Sequence, residues 1–170
     1  AIFSDGPDTE IYDNYIYDNS ANGIMLNGAL AIDGIIRDNV LGRSKSGNEL
    51  GNGWNGIFVH TCGNSLVEGN TIVNNGAGDS HNTYDMKDRI SGIRFQNTSS
   101  GIIQNNYVGT DASKANAGNS FDGITLYENV KNTVITNNVI CHNGFNAPNY
   151  GNGGGLAIRD GSGNGVTITS

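Results

Sequence analysis

Six residues capable of acid–base or anion chemistry recur at fixed offsets from a repeated glycine. The repeat reads Gly23-Ile24-Met25-Leu26, Gly56-Ile57-Phe58-Val59, Gly92-Ile93-Arg94-Phe95, Gly123-Ile124-Thr125-Leu126 and Gly155-Leu156-Ala157-Ile158. Two positions after each glycine stand Met25, Phe58, Arg94, Thr125 and Ala157; four positions after stand Asn27, His60, Gln96, Tyr127 and Arg159, with Glu128 and Asp160 next along the chain. The imidazole of His60 or the phenol of Tyr127 could move a proton as general base or acid. Arg94 and Arg159 could each grip a carboxylate or sulfate through two parallel N–H bonds. Glu128 with Asp160 is the one carboxyl pair worth testing for glycoside hydrolysis, which needs two suitably separated carboxyls. An ordinary solvated face with mixed polar side chains would carry the same residue types, so the positions matter more than the list.

Those positions are set by a repeat. Successive glycines are 33, 36, 31 and 32 residues apart. After each comes an apolar pair and then a polar pair closed by Asn: Ile35-Ile36 to Asp38-Asn39, Leu66-Val67 to Gly69-Asn70, Ile102-Ile103 to Asn105-Asn106 and Val134-Ile135 to Asn137-Asn138, with an earlier copy at Ile11 to Asp13-Asn14. A third apolar run follows each Asn: Tyr15-Ile16, Val40-Leu41, Thr71-Ile72-Val73, Tyr107-Val108 and Val139-Ile140. Each run is too short for a helix and rich in β-branched residues. The stretches without apolar rhythm, 43–55, 74–91, 110–122 and 142–154, vary in length while the strand spacing holds, as loops on a repeating scaffold do.

One such coil cannot bury its inward side chains. Stacked in register, coils pair each strand with its copies about 4.8 Å above and below. Asn14, Asn39, Asn70, Asn106 and Asn138 then form an inward ladder, each amide bonding the next. The expectation is an all-β, right-handed parallel β-helix of about five coils of 31–36 residues, its hand following from the general handedness of parallel crossovers. A leucine-rich repeat is the structural competitor, but its period of roughly 20–29 residues is too short. On this stack the six candidate residues fall within about 15–20 Å along one face.

Composition narrows the partners. The 170 residues carry 9 Lys plus Arg against 16 Asp plus Glu, a formal charge of −7. With no basic cluster, the chain is a poor nucleic-acid or anionic-membrane binder. No run approaches the roughly 20 apolar residues of a membrane span. Cys62 and Cys141 read as small buried apolar residues, without a spacing that indicates a disulfide. Gly51-Asn52-Gly53-Trp54-Asn55-Gly56 matches a dinucleotide-binding pattern but precedes a strand rather than opening a helix. Asn97-Thr98-Ser99 is a glycosylation sequon, relevant in a eukaryotic secretory pathway. A single calcium site from Asp111, Asp122 or Asp85 with backbone oxygens is the one cofactor reading these residue types allow, and no ligand spacing supports it.

The strand–turn–strand–Asn–strand pattern resembles the right-handed parallel β-helix superfamily of pectate lyases, polygalacturonases, alginate-acting enzymes, phage tailspikes and bacterial surface proteins. The segments Asn39-Val40-Leu41-Gly42 through Gly56-Ile57, and Asn106-Tyr107-Val108-Gly109-Thr110-Asp111 through Gly123-Ile124, carry that resemblance. It covers essentially the whole chain as one domain, 1–170, read as incomplete at both ends because no capping coil is visible. The resemblance implies an extracellular or cell-surface protein whose ligand lies along the first strand of each coil, beside the long loops. The expected catalytic residues are therefore His60, Arg94, Tyr127, Glu128, Arg159 and Asp160. Trp54, Tyr84, Lys87, Arg89, Phe121 and Tyr150, in the loops before those strands, are the expected substrate-binding residues. The aromatics among them could stack on sugars or simply cover the edge of the core; the loop charges could be a groove wall or a solvated loop.

The function favoured is a polysaccharide lyase, hydrolase or epimerase acting on an extended, acidic polymer. In that chemistry His60 or Tyr127 abstracts a proton beside a uronic carboxylate neutralised by Arg. The alternative is a non-catalytic surface, fibre or tailspike-shaft module, with self-assembly open to either. The signature motifs of polygalacturonases and pectate lyases are absent, so the resemblance specifies the fold more sharply than the reaction.

Overall fold

The computed structural model describes residues 1–76, 90–144 and 154–170. Three parallel sheets wrap around one core. The first contains Ile2–Ser4, Ile24–Asn27, Ile57–His60, Ser91–Gln96, Asp122–Tyr127 and Leu156–Arg159. The second contains Glu10–Tyr12, Ile35–Arg37, Leu66–Glu68, Ile102–Gln104, Val134–Thr136 and Thr167–Thr169. The third contains Tyr15–Ile16, Val40–Leu41, Thr71–Ile72, Tyr107–Val108 and Val139–Ile140. Every strand pairs in parallel with its copy one coil away, and there is no helix among the described residues. The fold is a right-handed parallel β-helix.

The sheets hold six, six and five strands, slightly more than the glycine repeat indicated. The additional first-sheet strand is Ile2–Ser4, which no glycine precedes. Its Ile2 pairs with Ile24, so this coil spans only 22 residues. That is the bare coil; the longer steps contain the same coil plus loop.

Alternation does the folding work. Ile24, Leu26, Ile57, Val59, Ile93, Phe95, Ile124 and Leu126 from the first sheet are fully buried and meet Ile36, Val67, Ile103, Leu41, Ile72 and Val108 from the other two. The polar pairs are explained by the backbone. Asp13, Asp38, Gly69, Asn105 and Asn137 all have φ between 52° and 65°, the left-handed region that Gly, Asn and Asp tolerate best. The residue after each is the ladder Asn. Asn14, Asn39, Asn70 and Asn106 donate Nδ2 to the Oδ1 of the next Asn at 3.0, 3.1, 3.0 and 2.9 Å.

A second ladder stands at the corner before the first sheet, unanticipated in the sequence. Asn19, Asn52, Asn75 and Asn119 donate Nδ2 to Asn52, Asn75, Asn119 and Asn143 at 2.7, 2.8, 3.0 and 2.9 Å. It accounts for the repeated glycine. A Cβ on Gly92 would lie 2.8 Å from both Asn119 Nδ2 and the Gly123 carbonyl oxygen, and one on Gly23 would lie 2.9 Å from Asn52 Nδ2. The glycine column is space left for the amide column.

Two loops leave this corner and return to it. Leu50 N–H donates to the Gly42 carbonyl at 3.1 Å, and Ala117 N–H to the Gly109 carbonyl at 3.2 Å. Each closes a detour of eight positions before the chain rejoins the ladder at Asn52 or Asn119. Cys62 and Cys141 are both free thiols; Cys62 is buried and its Sγ donates to the His60 carbonyl.

Candidate functional site

The outward columns of the first sheet fall in the register read from the sequence. Met25, Phe58, Arg94, Thr125 and Ala157 are aligned across successive strands, and so are Asn27, His60, Gln96, Tyr127 and Arg159. A third column precedes the glycines: Asn22, Asn55, Ser91 and Asp122. It is joined by Asn55 Nδ2 to Asn22 Oδ1 at 2.9 Å, Ser91 N–H to Asn55 Oδ1 at 2.7 Å and the register of Ser91 with Asp122.

Where the three columns meet in the second to fourth coils they floor a cleft of about 460 Å³. Its lining is Asn22, Met25, Asn27, Trp54, Asn55, Phe58, His60, Ile90, Arg94 and Gln96. Trp54 is 37% exposed. His60 stacks on Phe58 with centroids 5.4 Å apart, and its Nδ1 lies 2.7 Å from Asn27 Oδ1. An amide oxygen only accepts, so Nδ1 carries the ring proton and Nε2 keeps the lone pair. Burial lowers the His60 pKa first, the Arg94 charge lowers it further, and the Glu128 carboxylate pulls the other way. The net effect is a neutral imidazole at neutral pH, the form a general base needs.

Arg94 lines the same cleft. Only 1% exposed, it donates through Nε and Nη2 to Gln96 Oε1 at 3.2 and 3.0 Å. Its guanidinium carbon sits 4.4 Å from the Tyr127 ring centroid and 5.6 Å from that of Phe58. The planar cation is flanked by flat π-faces. With its Oε1 taken by Arg94, Gln96 donates Nε2 to Glu128 Oε2 at 2.6 Å, and Asn97 Nδ2 reaches the same oxygen at 3.3 Å.

The other expected residues separate into groups. Tyr127 and Glu128 adjoin the cleft through Arg94 and Gln96. Arg159 donates to Asp122 Oδ2 at 2.9 Å, an ion pair two to three coils along from His60, and Asp122 also accepts from Thr125 Oγ1 and Gly154 N–H. Asp160 is exposed at the corner after Arg159, with φ 51°. Trp54 forms a cleft wall. Phe121 is buried against Ile90, so it supports that wall from behind. Tyr84, Lys87, Arg89 and Tyr150 lie outside the described residues, as does Asp85. The calcium candidates Asp111 and Asp122 are each committed to an arginine and to hydroxyl or backbone donors, a donor set that does not fit a divalent cation. Among the described residues no three His, Cys, Asp or Glu side chains converge.

Asn22, Asn55 and Ile90 were missed as site residues. The first two had a signal, since they immediately precede the repeated glycine. Ile90 had none; its position depends on Phe121 one coil further on.

Fold and cleft together define a parallel β-helix with a lined groove on its first sheet. No family model and no curated protein sequence matches the chain. Among solved structures it is similar to the enzymatically active domain of bacteriophage CBA120 tailspike protein 2, at 11% identity and a TM-score of 0.53, over 98% of this chain and 26% of that one. It is also similar to the full-length tailspike protein 2 of an Escherichia coli bacteriophage, at 12% identity and a TM-score of 0.53, over 98% and 23% of the two chains. The chain thus spans about a quarter of the length of either tailspike. At that identity the likeness is one of fold. No helix among the described residues is long and apolar enough to cross a membrane.

Proposed function

We propose that this chain is the polymer-binding part of an extracellular carbohydrate-active protein, and that sugar rings of an extended polysaccharide lie in the first-sheet cleft along the helix axis. One observation carries the reading: the cleft combines a part-exposed indole, Trp54, with the amides of Asn22, Asn27, Asn55 and Gln96. Aromatic faces stack against the apolar faces of sugar rings, and amides donate to and accept from hydroxyls at once. Repetition of the strand every coil offers a polymer successive equivalent positions.

Catalysis, in this reading, rests on His60 as the proton-moving group, with Asn27 fixing its tautomer and Glu128 as the nearest carboxylate. The likeness to an enzymatically active tailspike domain supports turnover of a glycan without specifying whether by lyase, hydrolase or epimerase chemistry.

Trp54 is the single tryptophan, so its fluorescence reports the cleft directly. Titration with a panel of bacterial and plant polysaccharides should give saturable changes that Trp54→Ala abolishes at unchanged circular dichroism. Product assays on the same panel should show turnover that His60→Ala removes while binding persists. Binding without turnover in the wild-type chain identifies a non-catalytic module instead; binding nowhere on the panel sinks the proposal.

A further inference from the structure

The cleft's lining also bears on which sugars it takes. Of the ten described residues that line it, four are apolar (Met25, Trp54, Phe58 and Ile90), four are amides, and the remaining two are His60 and Arg94. Among the described residues no carboxylate lines it. Arg94 is only 1% exposed, bonded to Gln96 and flanked by aromatic rings. An anion entering the cleft would lose water against thioether, aromatic and aliphatic groups and meet no exposed cation among the described residues, a costly transfer. The Glu128 carboxylate, bonded to Gln96 at the same edge, and the net charge of −7 would both repel it.

Resting on the polysaccharide-binding reading, we infer that the cleft selects an uncharged sugar carrying methyl groups, a deoxy or N-acetylated residue, over a uronic acid. The apolar portion exceeds what the hydroxyl-bearing face of a plain hexose can usefully cover. A deoxy or acetamido methyl supplies the missing complement to Met25, Phe58 and Ile90. Met25 is suited to this work because its thioether adapts to shape, and Asn22 Nδ2 holds its sulfur at 3.8 Å. Asn27, whose Oδ1 is held by His60, keeps its Nδ2 to donate to an acetamido carbonyl or a hydroxyl. The chemistry shifts accordingly. Proton abstraction beside a carboxylate needs that carboxylate, so a methyl-bearing neutral sugar directs His60 toward acid–base work on a glycosidic bond, with Glu128 as the adjoining carboxylate.

The test is a Trp54 fluorescence titration of the chain with four matched oligosaccharide sets: plain glucan, N-acetylglucosamine, rhamnose-containing and oligogalacturonate. The inference expects the acetylated or deoxy sets to bind about fourfold or more tighter than glucan, the ratio for burying one methyl-sized group, and oligogalacturonate to bind weakest. Met25→Gln should shrink the preference of the methyl-bearing sets over glucan toward unity. Oligogalacturonate binding as tightly as the methyl-bearing sets, or glucan matching them, overturns the inference and leaves the polysaccharide reading standing. Binding by none of the four, with none on the wider panel, overturns both.

Discussion

Arg43 Nη1 meets Asp111 Oδ2 at 2.6 Å across a coil to which neither belongs. Arg43 opens the loop closed by Gly42 and Leu50, Asp111 lies in the loop closed by Gly109 and Ala117, and the coil between them runs straight from Val73 to Asn75. The pair is a strap over that coil, which also donates Asn74 N–H to the Ala117 carbonyl at 3.1 Å.

The strap should be visible in acid titrations of stability. The Ser113 hydroxyl, and after it the Arg43 guanidinium, holds the Asp111 carboxyl far below the usual carboxylate range. A depressed carboxyl contributes stability that is complete above its unfolded pKa, about 3.9, and is lost as pH falls toward the folded value. Asp111→Asn should lower Tm by about 2–4 °C at pH near 7, with the gap to wild type narrowing in melts below about pH 3.9. A gap independent of pH would show that the carboxylate charge is not what matters.

The ladders predict a gradient along the stack. Asn70 donates to the Ile36 and Glu68 carbonyls and to Asn106, and accepts from Asn39 N–H and Nδ2. Asn70→Ala strands several buried groups, and at about 1–3 kcal/mol for each group left unsatisfied it should cost about 3 kcal/mol or more in urea denaturation. Asn75→Ala should cost about as much from the other corner. Asn14→Ala, near the surface of the first coil, should cost less than either; equal losses would mean the ladder bonds are not the source.

Glycine substitutions separate space from backbone freedom. At Gly92 an added methyl meets Gly123 O, Asn119 Nδ2 and Val108 Cγ1, all at 2.8 Å. Gly92→Ala should therefore destabilise by about 1–3 kcal/mol or more, as overpacking does. Gly6 has open space around its Cβ position and no positive φ, so Gly6→Ala should be neutral or stabilising by up to about 1 kcal/mol. Chemical denaturation of the two variants side by side reads the difference.

His60 should titrate below its ordinary value of 6.5 in NMR. Because the folded chain prefers the neutral ring, its share of stability is present above about pH 6.5 and erodes as acidification proceeds from there down through the folded pKa. Glu128→Gln removes the one influence that raises this pKa and should move the midpoint lower still. A midpoint that rises in that variant would show the Glu128 charge is not felt at His60.

The stack was legible because its repeat is written in residues the backbone requires. Asp38, Gly69 and Asn105 mark left-handed corners, and Asn39, Asn70 and Asn106 follow them without exception. The second ladder was hidden because its period is broken: Asn19, Asn75 and Asn143 come two residues after Tyr17, Val73 and Cys141, whereas loops displace Asn52 and Asn119 from the ends of their third-sheet strands. The register of the outward columns was legible, yet the ring partners of Arg94 were not. Phe58 is the register partner of Arg94 on one side, whereas Tyr127, on the strand at the other side, belongs to another column, and only a diagonal approach across the pleat brings its ring to the guanidinium. Arg159 illustrates the same point: the sequence shows its column, and Asp122, which lies in another column one strand away, decides its partner.

The loops closed at Gly42–Leu50 and Gly109–Ala117 leave the wall and re-enter it one hydrogen bond apart. Each is therefore a cassette: it adds length without adding pitch. A spring built this way can exchange its attachments while every turn keeps its seat, so new recognition surfaces can be grafted at those two bonds without re-solving how the chain folds.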